Sequence, residues 1–280
     1  MHMPFIDKFL ADALLEDIGH GDVTTSLVIP PERKARAVLI AKEDLILAGI
    51  SFTEKIFKLV DKDIKFKTDK KDGGSVKKGT IIAELSGNAR SLLTAERVAL
   101  NLLQRLSGIA TLTHRFIKCV DGFPVKIVDT RKTTPGLRFF EKYAVSAGGG
   151  YNHRFGLFDG VLIKDNHIAL TGGVKKAVRL ARSKAHHMLK VEAEVKNMRE
   201  VKEALSSGAD IIMLDNMSEK EIKNAVRIIR LHQPKTVVEA SGNINLENVR
   251  QIAAAGVDLI SVGALTHSAP AVDISMKILG

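Results

Sequence analysis

Residues 189–214 read LKVEAEVKNMREVKEALSSGADIIML, and this stretch decides the fold. Two short apolar runs, 189–193 and 211–214, flank the segment 198–206, whose apolar residues recur at helical spacing. A strand, a helix and a second strand in this order are typical of a βαβ unit, in which the two strands lie parallel. The stretch therefore predicts a parallel sheet covered by helices.

The same alternation continues on both sides of this stretch, from about residue 122 onward. The apolar runs predicted as strands are 125–128, 160–163, 189–193, 211–214, 236–238 and 259–262. The amphipathic segments predicted as helices between them include 175–183, 198–206, 218–231 and 246–255. Such a series of strands favours a closed α/β barrel, and an open doubly wound sheet is the alternative.

The first 121 residues lack this regular alternation and are predicted to form a separate α+β domain. Its predicted helices are 4–17, 50–60 and 91–120, and its predicted strands are 34–47, 64–66 and 80–85. Gly108 is expected to break or bend the third helix. We therefore divide the chain into residues 1–121, which include the long connecting helix, and residues 122–280, which form the barrel and carry the active site. The C-terminal tail could pack back on the first domain.

Composition narrows the classes of ligand. The formal charge of +10 favours anionic partners, such as nucleic acid, anionic membranes or small molecules rich in phosphate and carboxylate. The sequence has no Trp and no basic run interleaved with aromatic residues, so nucleic acid is disfavoured. Its apolar runs are shorter than the roughly 18 residues that cross a membrane. Cys119 is the only cysteine, and the acidic N-terminal segment is unlike a secretory peptide, so we expect a soluble cytoplasmic protein.

Charged, polar and small residues lie at or just beyond the carboxyl ends of the predicted barrel strands. They are 129–132 (DTRK), 164–166 (KDN), Glu194, 215–216 (DN), 239–242 (EASG) and Gly263. In a parallel barrel these ends meet at one mouth, where active sites lie. Charged residues also end strands simply because loops are solvated, but recurrence on successive strands weakens that explanation. The sequence therefore predicts an active site at the barrel mouth.

Two kinds of ligand group are expected there. Glu194 and Asp215, among many Arg and Lys residues, suit a divalent cation held between carboxylates and a phosphate-bearing ligand. The alternative is that each acid pairs with a neighbouring lysine. Residues 241–243 and 263–264 follow the last two strands, where barrel enzymes often bind phosphate through backbone N–H groups. Small residues at such places are also ordinary turn chemistry.

Three motifs together closely resemble the quinolinate phosphoribosyltransferase family: DTRKTTPGLR (129–138), NHR (152–154) and LIKDNH (162–167). Further segments are similar to that family in order and spacing, namely 19–25 (GHGDVTT), 94–97 (TAER), 106–111 (LSGIAT), 214–216 (LDN) and 239–242 (EASG). The resemblance covers nearly the whole chain. It implies an N-terminal α/β sandwich joined to an incomplete α/β barrel of about six strands, assembled as a homodimer or larger homo-oligomer.

The resemblance also implies an activity. Phosphoribose would pass from phosphoribosyl pyrophosphate to quinolinate, giving nicotinate mononucleotide, pyrophosphate and CO2, with Mg²⁺, in NAD biosynthesis. The quinolinate site would comprise Arg131, His153, Arg154 and Lys164, with Arg97 donated by a neighbouring subunit. The phosphoribosyl pyrophosphate site would comprise Thr130, Lys132, Glu194, Asp215, Ser241, Gly242, Asn243, Val262, Gly263 and Ala264. Glu194 and Asp215 would hold Mg²⁺, directly or indirectly, and act in catalysis with Lys132 and Lys164.

Two other activities compete with this one. A related phosphoribosyltransferase, of the type associated with molybdate transport, would act on another acceptor. A barrel lyase would instead form a Schiff base on Lys164. The expected partners are small-molecule substrates rather than nucleic acid or membranes.

The position of His153 and Arg154 raises a separate question. Both precede the second predicted barrel strand, so a simple count places them near the opposite face of the barrel. Either the glycine-rich segment 148–150 carries them back over the mouth, or the predicted element boundaries are wrong.

Overall fold

The chain divides into two units within residues 4–279, the part described by the computed structural model. Residues up to Leu112, together with those from Ala269 on, form the first unit, and Thr113–Ser268 form the second. The sequence analysis placed the boundary at 121/122 and left open that the C-terminal tail packs back on the first domain. In the structure the division falls inside the long helix, and the chain returns to the first unit near its end.

Helices and strands are numbered in chain order. The helices are α1 (Pro4–Ile18), α2 (Val23–Val28), α3 (Ile50–Val60), α4 (Ala89–Cys119), α5 (Arg138–Ala147), α6 (Asp165–Thr171), α7 (Val174–Lys184), α8 (Met198–Ser206), α9 (Glu219–His232), α10 (Val249–Ala254) and α11 (Ala264–His267). The strands are β1 (Lys34–Ala41), β2 (Leu45–Ile46), β3 (Lys65–Lys67), β4 (Ser75–Val76), β5 (Ile81–Asn88), β6 (Lys126–Val128), β7 (Val161–Ile163), β8 (Val191–Val195), β9 (Ile211–Asp215), β10 (Val237–Ser241), β11 (Leu259–Ser261) and β12 (Ile274–Leu279).

The first unit is built on an antiparallel sheet in the order β12-β1-β5-β3. The sequence analysis did not predict β12, which pairs along β1 from Ala41 opposite Ile274 to Arg36 opposite Leu279. The single strand predicted over 34–47 is wrong, because the chain turns between β1 and β2. Asp44 stabilises this turn by accepting hydrogen bonds from Lys77 Nζ and from the backbone N–H of Lys78.

The predicted break at Gly108 is also wrong, since α4 runs through it without interruption. Glycine is needed there for a different reason. A Cβ at residue 108 would collide with the backbone carbonyl of Pro270, which belongs to the same unit. Gly108 therefore permits a close approach of two backbone segments rather than a bend.

The second unit is built on a parallel sheet in the order β6-β11-β10-β9-β8-β7. The predicted helix 198–206 is confirmed as α8, and the predicted strand 189–193 lies two residues later, as β8. The strand starts later because the N–H of Leu189 donates a hydrogen bond to the carbonyl of His186 within a turn. Val191 is the first residue that pairs with β7. The sequence analysis did not predict α5 or α6.

The barrel is not closed by regular strands. Within residues 4–279, β6 and β7 stand at the two ends of the strand order and do not pair with each other. The expectation of a closed barrel is therefore wrong, and the incomplete α/β barrel implied by the family resemblance is confirmed.

Tyr151 extends the open edge of this sheet. It forms a parallel bridge with Val128, donates its N–H to the carbonyl of Ile127 at 2.9 Å and accepts from the N–H of Asp129 at 3.1 Å. The chain reaches this position through residues 148–150, where Gly149 has a φ of 92°. Because Tyr151 runs in the same direction as β6, the residues after it emerge at the mouth.

The simple count, which places His153 and Arg154 near the opposite face, is therefore wrong, and the alternative that segment 148–150 carries them back over the mouth is confirmed. The simple count failed because a one-residue bridge leaves no periodic signal in a sequence.

No helix within residues 4–279 combines the length and apolar character needed to span a bilayer.

Candidate active site

A cavity of about 710 Å³ opens at the carboxyl ends of the parallel strands. It is lined by residues from the ends of all the strands of the barrel sheet, together with the segment that follows Tyr151. The sequence-predicted site residues that the structure brings together here are Thr130, Arg131, Lys132, His153, Arg154, Lys164, Glu194, Asp215, Ser241, Gly242, Asn243, Val262, Gly263 and Ala264.

Arg97 lies elsewhere. It is an exposed residue of α4, in the first unit, and is not among the described residues that line this cavity. Asp165, Asn216 and Glu239, which were predicted to lie at the mouth but were assigned no ligand, also line the cavity. The lining residues that the sequence analysis did not place there are Leu162, Met213, Ile244 and Ser261.

The lining side chains follow the two-residue period of a strand. On β9, Met213 and Asp215 face the cavity, and on β10, Glu239 and Ser241 do so. The outer member of each pair lies at the mouth and the inner member lies deeper. This period was the available sequence signal for the deeper residues, because Glu239 precedes Ser241 by two positions.

Arg131 and Arg154 form the cationic side of the cavity. Both side chains are half-buried, and in each the Nε atom is buried without a hydrogen-bond partner among the described residues. Arg154 also donates from Nη1 to the carbonyl of Gly160 at 2.9 Å. Burial lowers the pKa of Arg154, and the nearby charge of Arg131 lowers it further. Two guanidinium groups that repel each other and retain free N–H groups are suited to a ligand with two carboxylates.

Glu194 and Asp215 form the acidic side. Burial raises the pKa of Glu194, Lys164 opposes this shift, and the negative charge of Asp215 adds to it. Lys164 Nζ lies 3.5 Å from Glu194 Oε2, so the lysine pairing considered from the sequence occurs for this acid. Glu194 and Asp215 both line the cavity and present the carboxylate oxygens that Mg²⁺ prefers, so they fit a site for this ion.

Two tight turns close the opposite wall, after β10 and β11. Gly242 has a φ of 93°, and a Cβ there would collide with the side chain of Asn216. Asn216 and Asn243 also have positive φ values, 53° and 51°, and Asn243 Nδ2 donates to Asn216 Oδ1 at 2.9 Å. At Gly263 a Cβ would lie 3.1 Å from the Lys132 side chain. These turns leave backbone accessible for close approach by a phosphate group.

A buried polar cluster lies deeper in the barrel. His153 Nε2 is 3.3 Å from Glu192 Oε2 and 3.5 Å from Glu239 Oε2. Burial alone would lower the pKa of His153, but the two glutamates outweigh it and raise that pKa, while burial raises the pKa of Glu192. The cluster therefore retains protons. Glu192 was missed in the sequence, although it precedes Glu194 by two residues on β8.

The ligand atoms of this cluster lie within 4.8 Å of one another, a spacing that could also suit a metal ion. The backbone N–H of Arg154, however, donates to His153 Nδ1 at 2.8 Å. Nδ1 is therefore an acceptor, so the ring proton lies on Nε2, between the glutamates, and a further proton that the cluster retains resides on Glu192 rather than on the ring. A metal would need the lone pair of Nε2, and in such sites the other ring nitrogen normally donates its hydrogen. The geometry fits shared protons better than a metal.

Two family models match the chain. Residues 22–107 match the N-terminal domain of quinolinate phosphoribosyl transferase, and residues 109–277 match its C-terminal domain. A probable nicotinate-nucleotide pyrophosphorylase (carboxylating) of Bacillus subtilis is 46% identical over 273 residues, which are 98% of this chain and 93% of the relative. A chloroplastic nicotinate-nucleotide pyrophosphorylase (carboxylating) of Arabidopsis thaliana is 45% identical, over 95% of this chain and 80% of the relative.

Solved structures show the same likeness. The crystal structure of NadC from Streptococcus pyogenes superposes with a TM-score of 0.94 at 44% identity, and the match covers 100% of this chain and 99% of that one.

Proposed function

The chain belongs to the quinolinate phosphoribosyltransferase family, and we propose that the cavity at its barrel mouth is where the family reaction takes place. The protein is an enzyme of NAD biosynthesis that transfers phosphoribose from phosphoribosyl pyrophosphate to quinolinate with decarboxylation. The products are nicotinate mononucleotide, pyrophosphate and CO2. The observation that carries the placement is the pair Arg131 and Arg154, whose buried Nε atoms lack partners among residues 4–279.

Quinolinate, which carries two adjacent carboxylates, binds between these two arginines. Guanidinium groups bind carboxylates through paired N–H donors, so each arginine can take one carboxylate. Lys164 lines the same cavity and adds a further positive charge there, and His153 forms part of the deeper wall. On this proposal the unpartnered Nε atoms of the ligand-free protein gain acceptors when quinolinate binds.

Phosphoribosyl pyrophosphate binds across the rest of the cavity. The turns 241–243 and 262–264 hold its 5′-phosphate through backbone N–H groups. The side chain of Lys132 lies against Gly263 and places a positive charge beside the phosphate groups. Thr130 lines the same cavity. Glu194 and Asp215 hold Mg²⁺, either directly or through water. When bound, Mg²⁺ offsets the negative charge of pyrophosphate.

Catalysis rests on positioning and electrostatics. The quinolinate nitrogen bonds to C1′ of the ribose as the bond from C1′ to pyrophosphate breaks, and Lys132 stabilises the charge on the departing group. The ring is then a pyridinium, which accepts the electron pair left when the bond from C2 to its carboxylate breaks. CO2 leaves and C2 takes a proton. No step requires a nucleophilic side chain or a Schiff base on Lys164.

The active site is shared between subunits of a homodimer or larger homo-oligomer, with Arg97 contributed by the neighbour. The location of Arg97 in the first unit, outside the residues that line the cavity, supports this part of the proposal. We also propose a cytoplasmic location. A single cysteine, which can form no internal disulfide, supports it, and fractionation of producing cells tests it.

The direct test is an assay of the purified protein with phosphoribosyl pyrophosphate, Mg²⁺ and quinolinate, following nicotinate mononucleotide. Nicotinate serves as the control acceptor because it lacks the 2-carboxylate. We expect turnover of quinolinate and little of nicotinate. Faster turnover of nicotinate than of quinolinate, or no turnover of either, would contradict the proposed site and favour a phosphoribosyltransferase with another acceptor.

A further inference from the structure

Asp129 and Lys142 form an ion pair that is almost completely inaccessible to solvent. Their side chains are 0% and 4% exposed, and Lys142 Nζ lies 2.5 Å from Asp129 Oδ1. Neither residue is among the described residues that line the mouth cavity. Burying two charges carries a desolvation penalty that their attraction often fails to repay, so such a pair is weak evidence of a purely stabilising role.

The pair holds the backbone of His153 from both sides. Asp129 Oδ1 accepts from the N–H of His153 at 2.8 Å, and Lys142 Nζ donates to the carbonyl of His153 at 3.0 Å. Asp129 Oδ2 accepts from Asn152 Nδ2 at 2.6 Å. An acid and a base thus satisfy both peptide groups of the residue that lies directly before Arg154.

These contacts substitute for missing strand pairing. Tyr151 is bonded to the edge of β6, but the residues after it have no ladder partner among the described strands. In a regular sheet the N–H and carbonyl of residue 153 would be bound by a neighbouring strand. Here the Asp129 and Lys142 side chains perform that task. The segment 151–154 is consequently fixed at the mouth without being part of a longer strand.

The pair also connects the two arginines that face the cavity. Asp129 lies two residues before Arg131, and His153 lies one residue before Arg154. Burial lowers the pKa of Arg154 and the nearby charge of Arg131 lowers it further, so the two positive charges disfavour each other. Without a fixed backbone on both sides, this repulsion would move the two groups apart in the ligand-free protein.

We propose that Asp129 and Lys142 are positioning residues, which set the spacing of Arg131 and Arg154 and so prepare the site for two adjacent carboxylates. This inference rests on the proposed binding of quinolinate between these arginines. Loss of this positioning should weaken the binding of a ligand that contacts both arginines and leave unchanged the binding of a ligand that contacts only one. The reason is that a wrong spacing lowers affinity only when two contacts must form together.

The test compares two probes in calorimetric titrations. Benzene-1,2-dicarboxylate carries the adjacent carboxylates of quinolinate without the reactive nitrogen, and benzoate carries one carboxylate. The variant Asp129→Asn/Lys142→Met removes both charges together, so no unpaired buried charge remains. We expect the dicarboxylate to bind it about tenfold more weakly, and benzoate to change by less than about twofold. The KM for quinolinate should rise in parallel, with the KM for phosphoribosyl pyrophosphate unchanged.

Asp258→Asn is the matched control. Like Asp129, the Asp258 carboxylate forms an ion pair and also accepts from a backbone N–H. Its donors are Arg230 Nη2 and the N–H of Val238, each at 2.7 Å. Asp258 precedes β11, so it lies at the other end of the barrel strands. This variant should alter stability and leave both probes unaffected. If the double variant does not fold, Asn152→Ala leaves the ion pair in place and removes the Asn152 hydrogen bond to Asp129, together with those to the Lys142 carbonyl and Ser146 Oγ. It should weaken dicarboxylate binding selectively, by a smaller factor.

The outcomes separate the inference from the proposed site. Two results would overturn the positioning role alone. In the first, the double variant binds both probes more weakly by the same factor. In the second, it binds the dicarboxylate normally, whereas Arg131→Ala and Arg154→Ala do not bind it. Normal dicarboxylate binding in the two arginine variants would overturn the proposed quinolinate site itself.

Discussion

The side chain of Asn216 occupies the space that any residue other than glycine at position 242 would need for its Cβ. The two residues belong to the turns after β9 and β10, and the Asn216 N–H also donates to the carbonyl of Ser241 at 2.9 Å. The acid Asp215 and the turn 241–243 are therefore held at a fixed distance. The relationship couples the proposed Mg²⁺ ligand to the proposed phosphate site.

Gly242→Ala should disable phosphoribosyl pyrophosphate binding. The new methyl group would displace Asn216, and a positive φ at a non-glycine residue adds about 1–3 kcal/mol of strain. We expect the KM for phosphoribosyl pyrophosphate to rise by at least about tenfold. Steady-state kinetics with each substrate varied in turn would check this. Asn216→Gly in the same background should restore part of the loss, and no recovery would contradict the steric explanation.

Arg131→Ala should remove quinolinate turnover while the protein remains folded. Loss of hydrogen bonds from a charged donor to a carboxylate corresponds to about 1.5–3 kcal/mol each, so two such bonds predict a fall in kcat/KM of roughly a hundredfold or more. Arg131→Lys retains the charge but lacks the fork of donors, and it should recover only a small part. Circular dichroism and thermal melting verify the fold. Near-normal activity in Arg131→Ala would contradict the assigned role.

Glu194→Gln should stabilise the ligand-free protein at neutral pH and inactivate the enzyme. The pKa of Glu194 is raised in the folded state, so the native protein binds its proton more tightly than the unfolded chain does. The stability that the bound proton gives the wild type is fully present below the ordinary glutamate pKa, and it is lost as pH rises through the raised pKa of Glu194. The glutamine of the variant is neutral at every pH and does not lose this contribution. At a pH above the raised pKa the melting temperature of the variant should therefore exceed that of the wild type, and the difference should vanish near pH 4. Melting curves at a series of pH values without Mg²⁺ test the sign.

Mixing two inactive variants should restore activity if the site is shared. In a dimer of one Arg97→Ala subunit and one Arg154→Ala subunit, one active site has both arginines and the other has neither. Random exchange of equal amounts therefore predicts about a quarter of wild-type activity. The mixture should be assayed after a step that allows subunits to exchange, with each variant alone as the control. Persistent inactivity after proven exchange would argue against a neighbour's Arg97.

Much of this organisation can be predicted from the sequence, because parallel strands impose a common direction. Charged residues after successive apolar runs had to meet at one mouth, so Glu194, Asp215 and Lys164 could be grouped without a structure. The helices α3 and α8 were predicted with their observed bounds, since each has a clear apolar face. The ends of the barrel strands were predicted to within three residues, and these differences did not alter the grouping.

The features that escaped prediction depend on single contacts rather than on patterns. Tyr151 forms one bridge, which has no period to detect. Lys142 lies in an amphipathic segment where a lysine suggests a solvent-exposed face, yet a partner thirteen residues earlier buries it. The strand β12 pairs with β1, which lies near the other end of the sequence, and local pattern says nothing about such a partner. In each case tertiary contacts decide what local sequence leaves open.

The pairing of β12 with β1 also sets an order of assembly during synthesis on a ribosome. The second unit is complete in sequence once Ser268 has been made. The sheet of the first unit lacks a strand until residues 274–279 have also left the exit tunnel, although β1 emerged long before. The edge of β1 therefore stays unpaired while the whole sequence of the second unit is made. An unpaired strand edge of this kind can pair wrongly with another chain.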